Sequence, residues 1–406
     1  MNNNINFSLA RRLGLACLTT SLAAAMALGL SACGGGDDNA AASPAERSVG
    51  SLRLIGQQVL ARRGEFGGTV VGGLSGIDYD PTSNRYVLVS DDRTTTDSAN
   101  APRMYFANLN FDQTSFSGVQ FLSTFTMKQP DGSVYPKVPD AKVADPESVR
   151  FDPVSGNLVW VSEGDRALTS TPSRVINPFV REITTSGTHV REYTLPAMFQ
   201  MSALETGPRG NLVFEGITFT PDRSKTVVIS EGPLFQDGAA PTTSNGAVSR
   251  ITVFDRASGI ASAQYAYPID RVQATPEPST QFTVNGATEI LAVTNSKFLV
   301  LERSFSVGVV GNQVRLYEVN VAAASNVLNT AALAGATYTP VTKRLVLDFE
   351  TLKAQLGGIA NLEGMTFGPK LANGRDSLVV VADDNFPTAD SATDRNQVLV
   401  FEVVPQ

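Results

Sequence analysis

An acidic residue opens a strand-like segment four times along this chain. The four residues are Glu147, Glu215, Glu289 and Glu363, and Ser75 stands at the corresponding place in an earlier segment, with spacings of 68 to 74 residues. A buried carboxylate is costly unless something pairs with it. Several carboxylates brought together repel one another, unless a cation lies among them or some are protonated. Because hard oxygen ligands favour Ca²⁺ or Mg²⁺, we predict that these four glutamates bind a divalent cation, with calcium as the working hypothesis.

A second set of charged residues follows the next strand of each segment. Its candidate catalytic members are Asp91, Arg93, Arg303 and Asp383, and similar groups include Glu163, Glu231 and Asp384. Arginine donates bidentate hydrogen bonds to phosphate or carboxylate. We therefore expect the two arginines to contact an anionic substrate and the two aspartates to orient water. The alternative is that these side chains are solvated loop charges and turn caps.

These charges belong to an internal repeat that predicts the fold. The aligned segments are "LSGIDYDPTSNRYVLVSDDR", "PESVRFDPVSGNLVWVSEGD", "FEGITFTPDRSKTVVISEGP", "ATEILAVTNSKFLVLERSF" and "LEGMTFGPKLANGRDSLVVVADDNF". Each alternates as a strand, a Pro/Gly/Asn/Asp turn and a second strand, with further strand-like runs behind. We predict an all-β fold, a β-propeller of four-stranded blades with five repeats; six blades are the alternative. Residues 51–60 would supply the missing last strand and close the ring, which removes exposed edges.

The first strand of each propeller blade lines the central channel, so residues at its start are expected to converge. This geometry brings the four glutamates to one place and makes a shared cation site plausible. The competing interpretation is structural. Each glutamate would then accept backbone N–H hydrogen bonds from the neighbouring blade and hold the ring together.

The residues that are missing or rare narrow the chemistry. His189 is the only histidine and lies in an ordinary strand-like run, which argues against a Ser-His-Asp triad. The only cysteines are Cys17 and Cys33, so the mature domain has neither a cysteine nucleophile nor a disulfide. The net charge is −7, which argues against nucleic-acid binding. Hydrolysis would have to use a metal and carboxylates, with water as the nucleophile.

The N-terminus has the features of an export signal. Arg11 and Arg12 precede an apolar run that ends in "LSAC", residues 30–33, which resembles a bacterial lipobox. We predict a lipoprotein signal peptide at 1–33 with lipidation of Cys33, a flexible linker at 34–50 and the propeller domain at 51–406. The protein is then expected to be lipid-anchored on the periplasmic side or surface of the outer membrane, with no other membrane contact. The sequence leaves its oligomeric state open.

Taken together, the five segments resemble the phytase-like family described as "esterase-like activity of phytase". The segments that carry the resemblance best are "LERSF" and "LEGMTF…DDNF", within a match over roughly residues 50–405. It implies a β-propeller that hydrolyses phosphate esters or other esters, with an anionic small molecule as substrate. The pattern is also similar to calcium-dependent lactonase-type propellers, in which a first-strand glutamate is a metal ligand. Two alternatives stay open: a non-catalytic ligand- or partner-binding propeller, and a lactonase-like enzyme.

Overall fold

A computed structural model describes residues 46–93, 101–391 and 393–406, and these form a ring of five four-stranded antiparallel blades. We call the strands of each blade a to d, from the innermost to the outermost. Blade 1 consists of Gly76–Asp80, Arg85–Ser90, Arg103–Phe111 and Phe116–Thr126. Blade 2 consists of Pro146–Phe151, Leu158–Ser162, Phe179–Ile183 and His189–Glu192. Blade 3 consists of Phe214–Phe219, Lys225–Ser230, Ala247–Asp255 and Ile260–Ile269. Blade 4 consists of Thr283–Ala292, Lys297–Ser306, Gln313–Asn320 and Thr342–Asp348. Blade 5 consists of Asn361–Phe367, Ser377–Asp383, Gln397–Val404 and Ser51–Val59.

The short elements lie outside the blades. Two small hairpins pair Glu65–Phe66 with Thr69–Val70 and Asp165–Ala167 with Arg174–Ile176. The helical turns are Ala197–Phe199, Phe235–Asp237, Phe349–Leu352 and Lys353–Leu356. In the part of the chain that the structure describes, no helix has the length and apolar character needed to cross a membrane.

The N-terminal strand closes the ring, as the sequence predicts. Ser51–Val59 pairs antiparallel with Gln397–Val404, so strand d of blade 5 comes from the opposite end of the chain. The packed chain begins slightly earlier than this strand. Val49 is fully buried, and the carbonyl oxygens of Val49 and Gly50 accept hydrogen bonds from Arg344. The five-blade prediction is therefore confirmed, whereas the signal peptide, Cys33 and most of the linker lie outside the described residues.

Apolar layers between neighbouring blades form the core. Five buried clusters each join side chains of two adjacent blades, so every blade packs through both faces of its sheet. Trp160, for example, is fully buried between blades 1 and 2 and makes edge-on contacts with Tyr135 and Phe179. Burial of apolar surface on this scale is the main favourable term in folding. It fixes the five strands a in contact around the axis.

Antiparallel pairing brings the start of strand a beside the end of strand b. Pro146 faces Ser162 in blade 2, Phe214 faces Ser230 in blade 3, and Asn361 faces Asp383 in blade 5. The two sets of charged residues therefore meet at one end of the ring. In blades 2 to 5 a β-bulge interrupts the ladder between strands a and b, near the start of strand a in blades 2, 3 and 5 and midway along it in blade 4. Bulges of this kind re-aim side chains next to functional sites.

An ion pair fills the central channel. Arg150, on strand a of blade 2, has a guanidinium nitrogen 3.1 Å from an oxygen of Glu289, on strand a of blade 4. The guanidinium also donates hydrogen bonds to four backbone carbonyls, those of Ile77, Val149, Ile290 and Met365. Arg150 therefore bonds to blades 1, 2, 4 and 5 at once.

Candidate active site and metal centre

A cavity of about 540 Å³ opens at the end of the ring where the strands a begin. Eight carboxylic acids and two arginines line it, and seven of the eight residues predicted to bind metal or substrate are among them. Those seven are Asp91, Arg93, Glu147, Glu215, Arg303, Glu363 and Asp383. The sequence therefore predicted most of this constellation, although its chemical roles remain predictions.

Two positions of the repeat supply most of the charged lining, and each blade uses at least one of them. Near the start of strand a lie Glu147 in blade 2, Glu215 in blade 3 and Glu363 in blade 5, and all three are buried. The end of strand b supplies Asp91 in blade 1 and Asp383 in blade 5, while blade 4 supplies Arg303. The carboxylates converge because the ladder fixes where each strand begins and ends.

Two groups of three carboxylates lie close enough to hold metal ions. In each group one oxygen from every residue lies within 4.8 Å of the others. The groups are Asp145, Glu147 and Glu163, and Glu163, Glu215 and Glu231. Glu163 belongs to both groups and also accepts a hydrogen bond of 2.9 Å from the backbone N–H of Val213. The acidic clusters could bind a metal with the oxygen ligands that Ca²⁺ and Mg²⁺ take.

Glu289 does not join the other three predicted metal ligands. In blade 4 the bulge falls at Thr288, so Thr288 occupies the register position that Glu215 and Glu363 hold in blades 3 and 5. Glu289 takes the next position, which is glycine in those two blades, and its carboxylate pairs with Arg150 in the channel. It also accepts hydrogen bonds from the Ser148 hydroxyl at 3.0 Å and from the backbone N–H of Ile290 at 2.8 Å. Its place in the structure fits the interpretation of a glutamate that holds the blades together.

The close approach of neighbouring strands a explains why glycine follows the glutamate in blades 3 and 5. A Cβ at Gly216 would lie 2.5 Å from the backbone nitrogen of Ile290, and one at Gly364 would lie 2.7 Å from the carbonyl oxygen of Ser75. Neighbouring strands a approach too closely there for any side chain that points at the next strand. The "Glu-Gly" pair therefore combines a residue that faces the cavity with one that permits this approach.

Desolvation and mutual repulsion perturb the acids of the cavity. Burial, then the neighbouring carboxylates, raise the pKa values of Glu147, Glu163 and Glu215 well above the ordinary range. Burial and Asp383 raise the pKa of Glu363 to about 8, against the opposing effect of Arg303. At neutral pH such a cluster either retains protons or requires a cation. Strongly perturbed titratable groups in a cleft are typical of functional sites.

The two arginines of the cavity differ in the distances between their guanidinium nitrogens and the nearest carboxylate oxygens. A terminal nitrogen of Arg93 lies 2.9 Å from Asp145. The nearest acidic oxygens to Arg303 are longer contacts, 3.3 Å to Glu363 and 3.5 Å to Glu231, and its Nε has no hydrogen-bond acceptor among the described residues. Arg303 is therefore the better placed of the two to contact an anionic ligand.

Blades 1 and 5 each carry two adjacent aspartates, of which one lines the cavity and the other is buried behind it. Asp91 lines the cavity, whereas Asp92 is buried behind it and pairs with Arg103 at 2.7 Å. In the same way Asp383 lines the cavity, whereas Asp384 accepts hydrogen bonds from the backbone N–H of Gly73 and from the Asn396 side chain. The second aspartate of each pair fixes the loop that carries the first.

The donor set fits a divalent cation on two grounds. Oδ1 of Asp91 is buried, and no hydrogen-bond donor for it lies within the described ranges. The oxygens nearby come from carboxylates with raised pKa values, and a cation would neutralise their repulsion. Sequence reasoning missed Asp145 and Asn361, which stand two residues before Glu147 and Glu363, because each lies just ahead of its aligned segment. Glu163 and Glu231 belonged to the second charged set but were not assigned to the metal.

The family described as "Phytase-like: Esterase-like activity of phytase" matches residues 69–386. Among curated protein sequences, none matches this chain significantly.

Solved structures with a similar chain course were also found. An endo-arabinase from Bacteroides thetaiotaomicron is 10% identical with a TM-score of 0.40, over 89% of this chain and 98% of that one. An endo-1,4-beta-xylanase from the same organism is 11% identical with a TM-score of 0.43, over 81% of this chain and 90% of that one. An exo-beta-1,3-galactanase from Phanerochaete chrysosporium is 11% identical with a TM-score of 0.42, over 86% of this chain and 65% of that one. These similarities are too remote to bear on what this chain does.

Proposed function

Because the chain belongs to the phytase-like family, we propose that it is a metal-assisted hydrolase of phosphate esters or other esters. The observation that carries the proposal is the meeting of eight carboxylic acids and two arginines in one cavity at the end of the ring. A purely structural set of acids would be distributed among separate partners, as Glu289 is with Arg150. The acids of the cavity instead crowd together at the cost of raised pKa values.

The residues divide into three roles. The two triads that share Glu163 would hold the cation, which we propose to be calcium. When bound, it supplies Lewis-acid polarisation of the substrate oxygen and stabilises negative charge that develops there. Arg303 contacts the anionic group of the substrate through its unpaired Nε. Asp91 orients water, since it lines the cavity and its Oδ1 has no hydrogen-bond donor in the described part of the chain.

The test combines metal content with turnover. The full chain is purified without added metal, analysed for bound elements, and assayed on a phosphomonoester, a carboxylic ester and a lactone with and without chelator. We expect bound calcium, chelator-sensitive hydrolysis of an ester, and a chelator-dependent fall in melting temperature. Glu163→Gln should weaken all three, whereas the matched exposed variant Glu350→Gln should leave them unchanged.

The alternatives predict different results. Lactone opening without ester hydrolysis would support a lactonase-like enzyme. Calcium binding without turnover of any substrate would support a non-catalytic ligand-binding propeller. Absence of both calcium and a chelator effect on melting would refute the metal centre.

The place of action is a separate proposal. The N-terminal signal supports export and lipidation at Cys33, which would anchor the enzyme on the periplasmic side or surface of the outer membrane. Metabolic labelling with a fatty acid tests this, because Cys33→Ser should abolish the label. A label that persists in this variant would refute lipidation at Cys33.

A further inference from the structure

A second cavity, of about 280 Å³, lies beside the acidic cavity and between blades 3 and 4. The two cavities share Asn211, Arg303 and Phe305 as lining residues. Arg303 thus stands at the boundary, with carboxylates on one side and the second cavity on the other. A ligand held by this guanidinium can extend into either space.

The second cavity has a mainly apolar, aromatic lining. Phe282 and Phe305 lie with their ring centroids 6.4 Å apart, and Leu212, Val284 and Pro241 add further apolar surface. The charged groups of the same lining are the Arg303 guanidinium and the Glu231 carboxylate. Phe282 is 64% exposed, so it contributes little to the core. Phe305 is half-buried opposite Val284 in the ladder of blade 4. Two partly exposed rings beside an anion-binding arginine form a binding surface for a flat apolar group.

The size of this cavity sets the class of occupant. A protein cavity of about 150 Å³ is large enough to hold benzene. The cavity of about 280 Å³ accommodates one aromatic ring with a small substituent. It is too small for a larger hydrophilic ring that carries many charged groups. Charged groups would also meet the phenylalanines without hydrogen-bond partners.

We propose that the cavity lined by Phe282, Phe305, Leu212, Val284 and Pro241 is an apolar subsite that accepts an aromatic group of the substrate. This proposal rests on the proposed hydrolase function and specifies its substrate. The substrate is an aryl ester whose anionic group contacts Arg303 while the ring packs against the exposed sides of Phe282 and Phe305. Phe282 is a specificity-determining residue in this arrangement.

The experiment measures binding by calorimetry, so it does not depend on turnover. Phenylphosphonate and methylphosphonate are titrated into the full chain with calcium present. We expect the phenyl compound to bind about tenfold more tightly, because a buried apolar group is worth about one order of magnitude or more. Phe282→Ser should remove most of this preference, and the conservative Phe282→Tyr should keep it. Val154→Ser, at an 82% exposed turn in blade 2, is the matched control and should also keep it.

A neutral probe separates failure of the subsite from failure of the proposed function. Binding of phenol is followed by saturation-transfer NMR without calcium, in the wild type and in Phe282→Ser. If phenol binds in a Phe282-dependent way but neither phosphonate binds, the subsite stands and the anion site of the proposed hydrolase is wrong. If phenol gives no signal and the phosphonates bind equally or not at all, the apolar subsite is refuted. A phenyl preference that persists in Phe282→Ser refutes it as well.

Discussion

Substitution of Arg150 by methionine tests the ion pair that fills the channel. Arg150 and Glu289 are 3% and 0% exposed as side chains, with a nitrogen–oxygen distance of 3.1 Å. The same guanidinium donates to carbonyls of blades 1, 2, 4 and 5. Methionine keeps much of the volume but removes the charge and every one of these donors.

The expected cost follows from the carboxylate that is left behind. Removal of one partner from a buried ion pair costs about 3–5 kcal/mol, because the other charge stays buried without compensation. Glu289 already has a pKa raised to about 7 by burial, with Arg150 opposing the rise. Without the arginine this pKa rises further, so the folded variant binds a proton that the unfolded chain has released. The destabilisation relative to the wild type should therefore grow as the pH is raised above about 7, the pKa of Glu289 when Arg150 is present.

The assay is urea unfolding of the full chain at fixed calcium, with the free energy obtained by linear extrapolation. Arg62→Met is the control: this arginine pairs with Asp390 at 2.7 Å, but both side chains are exposed, so its loss should cost less than about 1 kcal/mol. The double variant Arg150→Met/Glu289→Met should recover much of the loss, since no buried charge remains. A cost below about 1 kcal/mol for Arg150→Met, or strictly additive single and double variants, would refute the reasoning.

Three further predictions concern the acidic cavity. Burial raises the pKa values of the acids in the cavity, that of Glu363 to about 8, so the metal-free protein should lose stability as the pH rises from about 5 to 8. Bound calcium should make the stability less dependent on pH. Melting curves recorded across this pH range test the prediction, and stability that increases with pH would contradict it. Glu163→Gln removes one negative charge from the cluster but keeps an acceptor for the backbone N–H of Val213. It should therefore raise the melting temperature of the metal-free protein by about 1–3 °C and reduce the rise in melting temperature that calcium causes. A lower melting temperature and an unchanged effect of calcium in calorimetry would count against this prediction. A Cβ at Gly286 would lie 2.2 Å from Cγ of Glu231, so Gly286→Ala should lower the free energy of unfolding in urea by about 1–3 kcal/mol and weaken calcium binding. Gly118→Ala is the control and should be neutral, because a Cβ there meets nothing within 4 Å. Equal effects of the two substitutions would contradict the role of Glu231.

The sequence predicted the fold well because the repeat carries the information in two independent ways. The alternation of strands and turns identifies each a–b hairpin, and the recurrence of 68 to 74 residues indicates one blade per unit. The last unit lacks an obvious fourth strand, residues 51–60 were predicted to supply it, and they pair with Gln397–Val404. Both arguments depend on the periodic backbone, which tolerates changes in individual side chains.

The site was harder to predict, as Glu289 illustrates. The segments "FEGI", "LEGM" and "ATEI" align best by residue type when Glu289 is matched to the other glutamates. The ladder instead matches Thr288 to them, and a shift of one residue moves a side chain to the other face of a strand. The position of the bulge decides between the two registers, and the residue that marks it is Ile290, which takes the place of Ile217 and Met365 in the ladder. Asp145 was missed for a different reason, since it lies just before the aligned segment and its polar counterpart is Asn361 in blade 5.

The closure of blade 5 makes the first and last strands of the domain neighbours. Their hydrogen-bonded register runs from Ser51 opposite Val404 to Val59 opposite Gln397, so the first and last strands of the propeller lie side by side. Joining ends that are roughly 350 residues apart costs on the order of 5 kcal/mol of loop-closure entropy, and the fifth sheet recovers this only when its final strand has been synthesised. The fifth sheet therefore stays incomplete until Gln397–Val404 has been synthesised, and closure of the ring depends on this strand.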